Sequence, residues 1–471
     1  MHRSTRLSVA ALAALLVAAS AIAPAGARSS EAGPRADDPP LVISPAPLPA
    51  FYDVPSPLPP GEPGDVIRSE VVPAPGLNGT LLRVMYHSRS VQGADIAVTG
   101  LIAVPRTAAP AGGHPVMAWA HGTTGIADEC APSLDSAGAI DFANPMLDRG
   151  WVVTATDFEG LATPGRHPYI VGDSEGRGVI DSVRAARNLP DADASSEYVV
   201  WGHSQGGHAA MFALHIAERW APELDLRGVV AGAPPSQLDL VYDYLKTSPY
   251  RYYLLMVAAA INAAYGDAAA PLTDVLNPQG IEKLGLVDQG CTGFLREQTG
   301  DLSVEDLMVQ QPDGTYNPFS NPTWGPLIAA QDPQNFEAAA DAPLLIIHGG
   351  DDEQIPTVSS EILAGQLCRV GQDLERWVYP GASHAGVIAP SFADMLTWMA
   401  DRFSGTAPTP EATAAGTSAA ESDRAICVDG KLEAPDTPVS SPDTTVPSSS
   451  GSGGGGAVPA TPVAGRPAYT G

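Results

Sequence analysis

Three observations predict an α/β protein built on a mostly parallel sheet with helices on both faces and an inserted helical cap. First, short apolar runs recur along the chain, each ending in a turn that contains Gly or Asp: "HPVMAWAHG", "WVVTATDFEG", "EYVVWGHS", "GVVAGAPP", "PLLIIHGGDD" and "LERWVYPGASH". Second, helical stretches such as "GVIDSVRAARNL" and "HAAMFALHIAERW" lie between several of them. Near-continuous apolar runs suit strands buried on both faces, and alternation with helices implies parallel connections. Third, the rhythm breaks over residues 236–330, which read as the cap.

"LLRVMYHSRS" and "ADIAVTGLIAVPR" precede the parallel strands and read as the two strands of a hairpin. The size of the cap follows from a spacing. Ser204 and Asp352 are 148 positions apart, whereas two strand–helix units need only about 60 to 70 residues. The excess contains "YRYYLLMVAAAINAAYG", which is apolar on nearly every face. It reads as a buried helix, as a lid over an apolar ligand, or as both.

Composition narrows the function. The 471 residues suffice for one large or two ordinary domains, and 44% of them are hydrophobic, enough for a sizeable core. Acidic residues number 53 against 25 Lys and Arg, a net charge of −28. That balance repels phosphates, so nucleic acid is not an expected partner, and binding to anionic membranes is disfavoured. Lysine occurs only three times, and Ala, Gly and Pro are abundant, which suggests a GC-rich bacterial genome.

The chain opens with "MHRSTRLSVAALAALLVAASAIAPAGARSS". Arg3 and Arg6 precede an apolar stretch, Leu7 to Ala23, and Ala25-Gly26-Ala27 follows as a cleavage site. Residues 1–27 are therefore expected to be a secretory signal peptide. No later run reaches the length of a membrane span, so no integral membrane segment is expected after cleavage. The product should be secreted, extracellular or associated with the cell envelope. A Pro-rich leader is placed at 28–50, the main domain at 51–432, and a disordered Pro/Ser/Thr/Gly-rich tail at 433–471. Export also changes how the four cysteines read. Cys130, Cys291, Cys368 and Cys427 are an even number in an oxidising compartment, so disulfides are the default. Their wide spacing does not suggest zinc, and three connectivities are open.

The chemistry starts from "YVVWGHSQGGHAAMFAL". Gly202-x-Ser204-x-Gly206 between a strand and a helix is a nucleophile elbow, and its flanking positions must be small because strand and helix nearly touch there. A serine hydroxyl needs a base and an acid to orient that base. In α/β-hydrolases the chain order is Ser, acid, His. "LLIIHGGDDEQIP" ends a strand with Asp351, Asp352 and Glu353, and "VYPGASHAG" ends the next with His384. The separation of 32 positions between Asp352 and His384 fits one helix. Asp352 is preferred to Asp351 as the acid, because D-x-x-I-P follows the common loop of this fold; the two roles could be exchanged. His203 and His208 flank the elbow and are read as lying at the wrong strand end to serve as base. The tetrahedral intermediate needs preorganised N–H donors. One is assigned to Gln205. The other is assigned to Thr123 in "AHGTTG", with Thr124 as the alternative. No metal and no cofactor is called for.

Taken together, these features resemble the secretory lipase family, here a bacterial secreted lipase. The matching stretches are "FYDVPSPLPPGEPGDVIRSE", "AHGTTGIADECAPS", "TDFEGLATPGRHPYIVGDSEGRGVIDSVRAARNL", "GHSQGG", "HGGDDEQIP" and "YPGASHAG", spanning about residues 50–430. The resemblance implies an α/β-hydrolase fold with a helical cap and the triad Ser204, Asp352 and His384. It also implies disulfides Cys130–Cys291 and Cys368–Cys427. The expected activity is that of a secreted serine carboxylic-ester hydrolase, with a lipase favoured, acting on lipid or acyl-ester substrates as a monomer. An exported serine peptidase or acyltransferase on the same fold is the alternative. A non-catalytic exported binding protein is the third reading, disfavoured by the intact set of catalytic groups.

Overall fold

The structure, a computed structural model, describes residues 47–136, 138–405 and 423–434. The expected signal peptide, most of the leader and nearly all of the tail lie outside the described residues. Among the described residues, eleven strands form one sheet in the order β1-β2-β3-β5-β4-β6-β7-β8-β9-β10-β11. Strands β1 (Val66–Val71), β2 (Gly79–Arg89) and β3 (Asp95–Pro105) are antiparallel at one edge. Strands β5 (Val152–Thr156), β4 (His114–Ala120), β6 (Ala194–His203), β7 (Asp225–Gly232), β8 (Leu344–Gly349) and β9 (Leu374–Tyr379) run parallel through the centre. Strands β10 (Asp423–Val428) and β11 (Lys431–Glu433) close the far edge in antiparallel fashion.

Side chains alternate across the pleat and feed two separate cores. Val116, Ala118, Tyr198, Val200, Leu344 and Ile346 pack on one face, against the helices Gly172–Asn188, Gln205–Trp220 and Thr357–Arg369. Met117, Val199, Trp201, Leu345, Ile347 and Trp377 pack on the other, against the helix Ile388–Ser404. Both faces of the central strands are covered, which is why these strands read as continuous apolar runs.

The topology places the chemistry. From β4 the chain passes to β5 on one side and then to β6 on the other. The order therefore reverses at β4, and a crevice opens at the carboxyl ends of β4 and β6. His121 to Gly125 follow β4 there, and Ser204 follows β6.

Between β7 and β8 lie the helices Leu238–Leu245, Tyr253–Tyr265, Pro278–Leu284, Thr292–Thr299, Val304–Leu307 and Trp324–Ala329. They share a core that includes Leu255, Met256, Val287, Leu295, Leu307 and Trp324. The helix Tyr253–Tyr265 uses both of its apolar faces. Leu255, Met256 and Ala259 are buried in the cap core, while Leu254, Val257 and Ile261 line a cavity beneath it.

Cys130 is bonded to Cys291 and Cys368 to Cys427, over sequence separations of 161 and 59. Constraint of the unfolded chain makes them worth about 5 and about 4 kcal/mol as upper estimates. Loop length alone would make the first the more important. Position argues otherwise. The Cys130–Cys291 bridge is backed by the Thr292 N–H on the Thr124 carbonyl at 2.9 Å and by the paired Arg166–Asp288 contacts at 2.9 and 2.5 Å. Cys427 lies on β10, which pairs with β9, and β9 leads directly to His384. Cys427→Ser should therefore lose activity on heating at a temperature where Cys130→Ser is still folded. Residual activity and far-UV circular dichroism on the two variants check this.

Candidate active site

The elbow is made by backbones that almost touch. A Cβ at Gly202 would stand 1.9 Å from the Gly206 carbonyl oxygen, and one at Gly206 would stand 1.8 Å from the Ala120 carbonyl oxygen. Only glycine fits either position. Ser204 between them has φ 58° and ψ −122°, a conformation that L-residues rarely adopt. Its N–H donates to the Gly232 carbonyl at 2.8 Å, and its own carbonyl accepts from the His208 N–H at 3.0 Å. The helix Gln205–Trp220 starts at the next residue, so its positive end lies beneath Ser204.

His384 lies in the loop after β9 and is buried. Its Nδ1 is 2.7 Å from Asp352 Oδ2. A carboxylate accepts, so Nδ1 carries the proton and Nε2 is left as the acceptor. Asp352 Oδ1 accepts the backbone N–H groups of Gln354 and Ile355, each at 2.8 Å. Burial works against ionisation of Asp352. Hydrogen bonds from His348 and His384 outweigh it and hold the carboxyl well below the ordinary carboxylate range. Asp351 is exposed, and its N–H donates to the Ala382 carbonyl at 3.0 Å. Of the two neighbouring acids, Asp352 is the one that meets His384.

Two supporting residues escaped sequence reading. His348 Nε2 is 3.2 Å from Asp352 Oδ2, and its Nδ1 is 2.8 Å from Ser360 Oγ. The available signal was a histidine inside the buried run "LLIIHGG", four residues before the acid. Glu353 Oε2 accepts the His384 backbone N–H at 3.0 Å and so holds the loop of the base.

The reading of His203 needs correction. It does not lie at the wrong strand end: its ring centroid is 4.7 Å from that of His384, and both line one cavity with Ser204. Burial, then the neighbouring His384, drives its pKa down to about 3, and its Nε2 has no hydrogen-bond partner. A ring of such low basicity is a poor general base. What excludes it is its electrostatic surroundings. His208 is buried one turn into the elbow helix, with Nδ1 2.7 Å from Glu175 Oε2 and Nε2 2.7 Å from the Gln331 carbonyl.

Gln205 is the first residue of the elbow helix, where backbone N–H groups lack a helical partner. Thr123 lines the same cavity as Ser204 and His384, and Thr124 does not. A Cβ at Gly122 would be 3.7 Å from Ser204 Cβ, so this loop packs directly on the elbow. Thr123 Oγ1 is 3.0 Å from the Tyr169 hydroxyl. Among the described residues, no hydrogen bond joins Ser204 Oγ to His384; the two line one cavity. Also among these residues, no group of three or more His, Cys, Asp or Glu side chains is placed to hold a metal ion.

Ser204 opens onto two cavities of opposite character. One is lined by Thr123, His203, His384, Tyr250 and Arg296, and the other by Leu238, Val241, Leu254, Val257, Ile261 and Phe319. A strained serine beside an acid–histidine pair, at the junction of a polar and an apolar cavity, is suited to acyl transfer.

Comparison with known proteins agrees with this geometry. The model of the family described as "Secretory lipase" matches residues 138–411, more than half of the chain. The chain belongs to the secretory lipase family. Lipase A of Moesziomyces aphidis is 24% identical over 424 residues, covering 86% of this chain and 89% of that protein. A secreted triacylglycerol lipase of Malassezia globosa is 27% identical over 295 residues, covering 59% of this chain and 63% of that protein. The structure of Candida antarctica lipase A in its closed state superposes with a TM-score of 0.64 at 23% identity, over 77% of this chain and 89% of that one. The fold is accordingly that of the α/β-hydrolases.

The Asp352–His384 contact generates a test. Asp352→Asn should lower kcat on a soluble ester by about 10³- to 10⁴-fold, because an amide can force the wrong imidazole tautomer. Asp351→Asn should leave kcat within about threefold, as expected for an exposed neighbour. Steady-state kinetics on the two variants check this, and the reverse order would move the acid by one residue.

Proposed function

We propose that this protein is a secreted lipase, a serine carboxylic-ester hydrolase that forms an acyl-enzyme on Ser204. The observation that carries the reading is the position of Ser204 between an apolar cavity roofed by the cap and a polar cavity holding His384 and Thr123. Membership of the secretory lipase family supports it, and so does the relative named as a secreted triacylglycerol lipase. No helix among the described residues is long and apolar enough to cross a membrane.

The steps follow from the donors and acceptors. Ser204 Oγ attacks the acyl carbonyl carbon while His384 Nε2 takes its proton. The imidazolium so formed is stabilised by Asp352 across the 2.7 Å contact. Charge develops on the former carbonyl oxygen, where the N–H groups of Gln205 and Thr123 stabilise it. The intermediate collapses, His384 returns the proton to the leaving alcohol, and the acyl group stays on Ser204. A water molecule, deprotonated by His384, then repeats the sequence and releases the acid.

The acyl chain lies in the apolar cavity, where each buried methylene gains about 0.8 kcal/mol. The alcohol part occupies the polar cavity beside Tyr250 and Arg296. A peptidase or acyltransferase on this fold would share the triad. The peptidase is disfavoured because a backbone amide would enter the apolar cavity with its polar groups unpaired.

Two outcomes are expected. Ser204→Ala should abolish labelling by a fluorophosphonate probe and lower turnover by roughly 10⁶-fold, with an unchanged circular dichroism spectrum. Val257→Trp, which narrows the apolar cavity, should keep hydrolysis of p-nitrophenyl acetate and lower that of the decanoate at least tenfold. Rates on an ester series from acetyl to oleoyl, run beside peptide amides, check this, and equal loss on all chain lengths would place the acyl chain elsewhere.

A further inference from the structure

Glu175 sits in "HPYIVGDSEGRG", a stretch to which the proposed reaction assigns no role. Its side chain is wholly buried in the first turn of the helix Gly172–Asn188. A carboxyl in that position needs every one of its oxygens occupied. Oε1 accepts two donors: the Ile170 backbone N–H at 2.9 Å and Gln205 Nε2 at 2.9 Å. Oε2 is 2.7 Å from His208 Nδ1.

Proton counting shows what this carboxyl does. The Gln331 carbonyl can only accept, so His208 Nε2, 2.7 Å away, must carry a hydrogen. One more proton is then shared between His208 Nδ1 and Glu175 Oε2. Whichever atom holds it, Oε1 remains a pure acceptor. The Gln205 amide nitrogen has a second acceptor. Its Nε2 is 2.7 Å from His167 Nε2, and His167 Nδ1 donates to the Glu159 carbonyl at 2.8 Å. Burial lowers the His167 pKa to about 4, so its Nε2 stays a bare acceptor.

The two donors on Oε1 lead toward the two assigned oxyanion donors. Gln205 follows the nucleophile and carries one donor amide. Ile170 has φ 57°, a strained conformation for a β-branched residue, which persists only where its surroundings enforce it. The hydroxyl of its neighbour Tyr169 meets Thr123 Oγ1 at 3.0 Å, and Thr123 carries the other donor.

We infer that Glu175 is a positioning residue for the reaction, whose Oε1 sets the distance between the two oxyanion donors by tethering the Gln205 side chain and the Ile170 turn to one atom. The inference rests on the acyl-enzyme reading of Ser204. It requires an acceptor oxygen at this place and not a charge. Glutamine meets the requirement: its carbonyl oxygen receives the same two donors, and its NH2 donates to His208 Nδ1 once that ring is neutral.

Glu175→Gln, Glu175→Met and Gln205→Leu test this on the full-length secreted protein, with active sites titrated by a fluorophosphonate. The readouts are kcat and KM on p-nitrophenyl butyrate, and the Ki of a trifluoromethyl ketone, whose adduct places an oxyanion in the hole. Glu175→Gln should stay within about fivefold of wild type in all three. Glu175→Met and Gln205→Leu should lower kcat by roughly 10- to 100-fold, less than outright loss of a donor. The ketone Ki should rise in parallel while KM moves less than about twofold. Gln205→Leu keeps its backbone N–H and carries the test should Glu175→Met fail to fold. The inference is overturned by wild-type kcat and Ki in Gln205→Leu. It is equally overturned if Glu175→Gln is as damaged as Glu175→Met, since charge would then matter more than registry. A wild-type protein that neither hydrolyses the ester nor labels at Ser204 would instead defeat the acyl-enzyme reading itself.

Discussion

The close approach of three backbones at Gly202 and Gly206 is the constraint on which the candidate site depends. Strands β4 and β6 and the start of the elbow helix come so near that no methyl group fits between them. Ser204 is thereby forced to φ 58°, at a cost of about 1–3 kcal/mol. The surrounding sheet supports that strain through the Gly232 carbonyl and through the helix that begins at Gln205. One consequence is kinematic. The position of Oγ is set by the main chain, which a buried sheet holds more firmly than packing holds a long side chain. Another is that the loop after β4 and the residue after Ser204 become neighbours at one crevice.

Electrostatic sorting of buried groups is the second layer. Asp352 and His203 are both desolvated, and desolvation disfavours the charged form of each. Asp352 stays ionised because backbone N–H groups and two histidines donate to it. For His203, burial and the adjacent His384 outweigh the favourable effects of Asp352 and of a backbone hydrogen bond at His384, and the ring stays neutral. The two neighbouring rings, His203 and His384, therefore differ in what they can do, although their centroids are 4.7 Å apart. A neutral His203 also spares His384 a like-charged neighbour at the moment it becomes an imidazolium.

The cap roofs the apolar cavity at Ser204. Its long apolar helix packs Leu255 and Met256 inward and presents Leu254, Val257 and Ile261 to the cavity at Ser204. A helix that is apolar all round would be an aggregation hazard if exposed; here both faces are used. The Cys130–Cys291 bridge joins the cap to the loop that carries Thr123, so the roof of the cavity and one side of the crevice are covalently linked.

Much of this was legible in the residues. Near-continuous apolar runs between helical stretches point to a doubly covered sheet, because strands buried on both faces tolerate only polar residues that find partners. Gly202-x-Ser204-x-Gly206 announces a contact too close for side chains, and the order Ser204, Asp352, His384 names the groups that β6, β8 and β9 deliver to one edge. What only the tertiary structure decided is proximity across those strands. The D-x-x-I-P spacing favoured Asp352 and left exchange with Asp351 open; the fold turns Asp352 toward His384 and leaves Asp351 exposed. His203 read as misplaced, yet the strand end brings it beside His384, and burial beside that second histidine is what disarms it. His348 and Glu175 drew no reading from the sequence. Their partners are distant in sequence or folded back from the next turn, and hydrogen bonding in a low-dielectric interior depends on where chains cross, which no local pattern encodes.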